Sequence, residues 1–137
     1  MNTSHKRHER WPKGAVIQVR NSTRGVVLAQ RADVANTLWK ALVGLIPYRR
    51  LDAGGGMLLP GVGSIHTTGL RFSIDVIFIN RTSDVIGLRR DVPPFRIAWA
   101  PRGTHSAVEL PAGTLTLDSC GLGDRLAFAP ATEISAA

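Results

Sequence analysis

The chain has 137 residues and a mass of 14.8 kDa, enough for one domain with an ordinary core. A composition of 44% hydrophobic and 20% charged residues excludes a disordered chain, and the single cysteine, Cys120, excludes an internal disulfide and any Cys-x-x-Cys site. The formal net charge of +7 is divided between a basic N-terminus, with Lys6, Arg7, Arg10 and Lys13 against Glu9, and scattered arginines. Neither a groove-reading helix nor a run of stacking aromatics accompanies them, so nucleic acid is not an expected partner. No apolar run reaches the length of a membrane span, and no apolar stretch of a signal peptide follows the basic residues, so the expected location is cytoplasmic.

In chain order, Ala15-Val16-Ile17-Gln18-Val19 and Gly25-Val26-Val27-Leu28-Ala29 are β-branched runs separated by Asn21-Ser22-Thr23-Arg24, which predicts a hairpin. From Asp33, a residue suited to an N-cap, Val34, Leu38, Leu42 and Leu45 recur at helical spacing with Ala35 and Trp39 beside them, predicting an α-helix over about 33–46 that Pro47 ends. Glycines crowd positions 54–69 around Met57-Leu58-Leu59, predicting looped backbone about one brief strand. The second half predicts strands over 74–80, 85–89, 106–110, a short piece near 114–117, and 125–128. Pro93-Pro94 and Pro111-Ala112-Gly113 mark corners, and Gly121-Leu122-Gly123-Asp124 a turn whose carboxylate accepts backbone N–H groups. The fold class expected is mainly β (α+β), a small compact β-barrel or sandwich with that one helix, over residues 14–130, with tails at 1–13 and 131–137.

Residues 65–79 carry the most information, because polar groups run directly into a strongly apolar strand. Alternation puts Ile74, Val76 and Phe78 on one face of that strand and Asp75, Ile77 and Ile79 on the other. His66 suits a general base, a metal ligand or a pocket hydrogen-bonder, and equally a half-buried histidine serving loop backbone. One histidine without a second ligand nearby makes no metal site, since His105 and Asp118 could join it only through the fold. Asp75 is a catalytic carboxylate with a raised pKa, or more commonly at such a place an acceptor of backbone N–H bonds or a partner of Arg71. Cys120 lacks any cysteine-enzyme signature and reads as small apolar filling. Gly61-Val62-Gly63 has His66 at the place of the third glycine of a dinucleotide fingerprint, and no other cofactor or catalytic motif is present. No metal or cofactor is therefore expected.

Gly56-Met57-Leu58-Leu59-Pro60, Ser64-Ile65-His66-Thr67, Arg71-Phe72-Ser73-Ile74-Asp75-Val76, Val92-Pro93-Pro94-Phe95, Ala100-Pro101-Arg102-Gly103, Glu109-Leu110-Pro111-Ala112-Gly113 and Gly123-Asp124-Arg125 resemble, in order, the DUF192 (UPF0127) family. The resemblance spans about residues 14–129. Members typically read Ile-His-Thr-x-x-Met-Arg-Phe-Pro-Ile-Asp-Val, where this chain has Leu70 for Met and Ser73 for Pro; neither change removes a polar functional group. The resemblance implies a compact, mainly β domain and no particular reaction, with Pro93, Pro94, Glu109, Gly123 and Asp124 as structural motif residues.

The function expected first is a small-molecule or peptide binding module whose pocket lies near residues 65–75, rimmed by His66, Thr67, Arg71 and Asp75. A hydrolase or lyase using His66 as base with Asp75 as its partner is the alternative. A third reading is an interaction module of a larger assembly, docking through its basic tail or a sheet edge.

Overall fold

A computed structural model of the chain describes residues 11, 14–35, 51–61, 64–66 and 71–131, of which 64–66 are described as backbone only. These residues form nine strands: β1 (Val16–Asn21), β2 (Val26–Val34), β3 (Gly55–Pro60), β4 (Ser64–His66), β5 (Ile74–Ile79), β6 (Val85–Val92), β7 (Ile97–Trp99), β8 (Ser106–Pro111) and β9 (Leu126–Pro130). Seven make one sheet in the order β6-β5-β8-β3-β2-β1-β9, antiparallel throughout except for the parallel pair β2–β3. Strands β4 and β7 form a separate two-stranded ribbon.

The β1–β2 hairpin turns because Asn21 Oδ1 accepts the Thr23 and Arg24 N–H groups at 3.0 and 3.3 Å while Gly25, at φ +70°, returns its N–H to the Asn21 carbonyl. Strand β2 then runs on to Val34. Asp33 pairs with Val16 on one side and Met57 on the other, and Val34 pairs with Leu58. The expected N-cap at Asp33 is therefore a strand residue: its backbone belongs to two ladders, and tertiary pairing overrides the helical spacing of the side chains. The rest of the segment read as helical, 36–46, lies outside the described residues, which contain no α-helix. A second correction concerns 114–117, which form no strand. Their backbone groups bond instead to side chains: Leu115 N–H donates to Asp75, Thr116 N–H donates to Ser119 Oγ, and Ser119 Oγ donates to the Thr114 carbonyl.

The sheet is a curled half-barrel. Its edge strands approach at one place, through a bridge between Asp84 and Arg125. There the Leu126 N–H donates to the Ser83 carbonyl at 2.9 Å and the Val85 N–H to the Asp124 carbonyl at 2.7 Å. One core cluster draws on all seven strands, including Ile17, Val19, Leu28, Leu58, Ile77, Ile79, Val85, Val108, Leu110 and Leu126, so it fills the concave side. Leu115 and Cys120, from the loop after β8, join it, as does partly buried Trp11. A second cluster, with Met57, Leu59, Ile74, Val76, Phe78, Val92 and Ala107, covers the outer face of β3, β8 and β5, and Ala98 of the ribbon packs into it. Strand β5 is buried along its whole length because both its faces are covered. Each large side chain so buried contributes roughly 1.5–3 kcal/mol. Gly56 belongs in β3 for steric reasons: a Cβ there would stand 2.9 Å from the Glu109 carbonyl oxygen.

Candidate functional site on the outer sheet face

The alternation of β5 holds as read from the sequence, with Ile74, Val76 and Phe78 in the outer cluster and Ile77 and Ile79 in the concave core. Asp75 pairs with Leu110 and so shares the concave side with Leu110 and Ile77. It is 1% exposed, and three backbone donors satisfy it. Oδ1 accepts the Asp91 N–H at 2.7 Å, and Oδ2 accepts those of Gly113 and Leu115 at 3.0 and 2.8 Å. Asp91 takes a left-handed φ of +52°, which directs its amide at the carboxylate. Asp75 thus ties the end of β6 and the loop after β8 to β5, and its partners are backbone amides rather than Arg71, which is exposed.

Glu109 is the other kind of carboxyl. It lies in β8 between Met57 of β3 and Val76 of β5, and therefore on the outer face. It is 5% exposed and has no hydrogen-bond or ion-pair partner among the described residues. Burial pushes its pKa up to about 7. The pairings continue its row across the sheet, Arg89–Val76–Glu109–Met57–Asp33–Val16, placing Arg89 and Asp33 each two strands, roughly 10 Å, from it. At the β1–β2–β3 end of this row a cavity of about 250 Å³ is lined by Val16, Arg31, Asp33, Leu51, Asp52, Gly55 and Gly56. Leu51 also packs against the outer cluster, so the cavity borders that cluster, while Glu109 itself is not among its lining residues.

Of the other expected residues, His66 pairs through its backbone with Ile97 in the ribbon, and Thr67 lies outside the described residues. Arg71 precedes Phe72, which packs on the outer cluster. Phe72 therefore lies on the face that carries Glu109, while Asp75 is turned to the opposite one. Pro93 and Pro94 lead from β6 into β7. Gly123, at φ +88°, turns the chain into the edge-strand closure by donating to the Val85 carbonyl.

Asp124 Oδ2 accepts from Asn21 Nδ2 at 2.8 Å, Arg24 Nε at 2.5 Å and the Gly121 N–H at 2.9 Å. Burial alone would raise its pKa, but these bonds outweigh burial and hold the carboxyl below its ordinary value. Cys120 is buried, and burial together with the nearby Asp124 charge pushes its thiol up to about 11. That environment opposes a thiolate nucleophile. Among the described residues no group of three or more His, Cys, Asp or Glu side chains could hold a metal ion, and no helix is long and apolar enough to cross a membrane.

Sequence reasoning placed Glu109 among structural motif residues. The signal that singles it out is one acid inside the otherwise small and apolar run Ser106-Ala107-Val108-Glu109-Leu110.

These features define a class: a small, mainly β, curled half-barrel with an acid buried on its outer face. The chain belongs to the DUF192 family, described as Uncharacterized ACR, whose sequence pattern matches residues 18–128. It is 29% identical over 120 residues to a UPF0127 protein of Thermococcus sibiricus, covering 85% of this chain and 77% of the relative. Two crystal structures share the fold at 18% identity. One, from Sinorhizobium meliloti 1021 and provisionally described as a transcription regulator, superposes with a TM-score of 0.72 over 87% of this chain and 98% of its own. The other, a protein of unknown function from Novosphingobium aromaticivorans, has a TM-score of 0.71 over 93% and 98%.

Proposed function

We propose that this domain is a small-molecule binding module whose site is the outer sheet face around Glu109. The observation that carries this reading is the buried Glu109 carboxyl, which has no partner among the described residues. A buried carboxyl left unpaired is unfavourable by several kcal/mol if charged, and none of the described residues compensates it. A ligand bearing an N–H or ammonium group would supply the missing partner. The adjoining cavity of about 250 Å³, with Arg31, Asp33 and Asp52 in its lining, suits a small polar molecule. Arg71 and Phe72 lie beside this face, and Asp75 shapes it from behind by fixing β5. The test is a thermal-shift screen of small amines, amino acids and amides, with Glu109→Gln as control. A hit is expected to lose at least about tenfold in affinity in the variant, equivalent to about 1.4 kcal/mol. Hits that bind both proteins equally would refute the site.

The acid–base behaviour of Glu109 favours a second reading. A carboxyl poised near 7 is suited to general acid or base catalysis. In a hydrolase or lyase built on this fold, Glu109 rather than the amide-bound Asp75 would move the proton, with His66 as its candidate partner. Turnover that survives Glu109→Gln would exclude that role.

A further inference from the structure

We propose that the β4–β7 ribbon is a docking surface for an anionic lipid membrane, a role independent of the Glu109 site. In β7 the burial alternates, so Ala98 enters the outer core while Ile97 and Trp99 face away from it. Phe95 extends the line. These three side chains are 70%, 43% and 69% exposed at positions 95, 97 and 99, an unusual concentration in a chain with only eight aromatic residues. Phe95 is held at φ +63°, a left-handed conformation unfavourable by roughly 1–3 kcal/mol for a bulky residue, of the kind that clusters at functional positions.

The elements bordering this stripe are basic. Arg71 precedes Phe72, Arg89 lies in the last part of β6, Arg96 enters β7, and Arg102 lies in the turn after it; all four are exposed. Asp91 is the single exposed acid between residues 89 and 103. Exposed apolar side chains with exposed arginines in the adjoining chain segments match the layering of a membrane interface, where rings and aliphatic groups enter the acyl boundary and arginines meet lipid phosphates. Single-stranded nucleic acid fits less well. Ile97, between the two rings in sequence, offers no π face for a base.

The experiment is co-sedimentation of the full chain with phosphatidylcholine vesicles, with or without about 30% phosphatidylglycerol, at about 0.15 M and 0.5 M salt. Binding is expected only with the anionic lipid, reduced several-fold at the higher salt, and lost at least tenfold in Phe95→Ser/Trp99→Ser. The exposed positions should leave the fold intact, as circular dichroism would verify. Arg89→Glu/Arg102→Glu provides a second variant with intact apolar residues and is expected to lose binding to the same extent. Three outcomes overturn the proposal: no binding to anionic vesicles, binding unchanged in both variants, which would place it on the basic N-terminus, or binding to single-stranded oligonucleotide or an acidic protein in place of the vesicles.

Discussion

Asp75 and Glu109 sit one row apart on neighbouring strands, Asp75 opposite Leu110 and Glu109 opposite Val76, and their carboxyls face opposite sides of the sheet. The first has three backbone donors and the second has no partner among the described residues. Burial is similar at both places, so the difference lies in what each carboxyl meets. Asp75 ties three backbone segments together, whereas the Glu109 carboxyl meets no donor among the described residues.

Asp75→Asn should be strongly destabilising. An amide presents one oxygen and one NH2 group, so at least one of the Asp91, Gly113 and Leu115 amides would face a donor instead of an acceptor. The expected loss is about 3 kcal/mol or more, measured as a lowered urea midpoint at unchanged m-value. A loss below about 1 kcal/mol would show that the three bonds contribute little.

Glu109 makes stability depend on pH in an unusual direction. Its folded pKa, about 7, lies above its ordinary 4.5, so the native state holds the proton more tightly than the unfolded chain. The stability it contributes is complete below about pH 4.5 and is lost as pH rises through 7, by about 3 kcal/mol in all. Glu109→Gln should abolish this decline and raise Tm at pH 8 by about 5–10 °C, while changing it little at pH 4.5. Thermal unfolding of the two proteins across this range measures it, and parallel curves would contradict the assignment.

Asp124 acts in the opposite sense. Its folded pKa is depressed, so the stability from its bonds to Asn21, Arg24 and Gly121 is present above the unfolded pKa and lost as pH falls through the folded one. Asp124→Ala should destabilise the protein by about 2–3 kcal/mol at neutral pH and flatten the acid limb of its stability curve. Because Asn21 and Arg24 also bond the Ser119 and Leu117 carbonyls, amide exchange across residues 114–121 should accelerate most. A uniform increase along the chain would argue against a local tie.

Cys120 should be inert in the native protein. Its thiol is buried and pushed up to about 11, so at pH 8 thiolate is scarce and a disulfide reagent has no path to it. Labelling is expected at the rate of opening or unfolding and to become fast in denaturant. Rapid labelling under native conditions would show that the loop after β8 opens locally.

Much of the strand framework was legible because its signals are local. The all-apolar surround of Asp75, the Asn21–Gly25 turn and the glycine and proline corners each follow from the conformational preferences of a few adjacent residues. Asp33 and Val34 show where local reading stops: their spacing with Leu38 and Leu42 is helical, yet ladder pairing with β1 and β3 makes them strand residues. The ribbon had no periodicity to read, since β4 and β7 are three residues each and take their register from one another.

The sequence by itself determined a mainly β fold of the DUF192 family and, through the period of two in β5, that Asp75 shares a face with Ile77 and Ile79. Tertiary structure alone decided which face that is, that donors 16, 38 and 40 residues away satisfy Asp75, and that Glu109 has no partner among the described residues. The reason is physical. Alternation fixes the relative directions of neighbouring side chains, whereas a buried carboxyl's role depends on the donors and charges that the rest of the chain brings to it, and strand pairing between distant segments sets those.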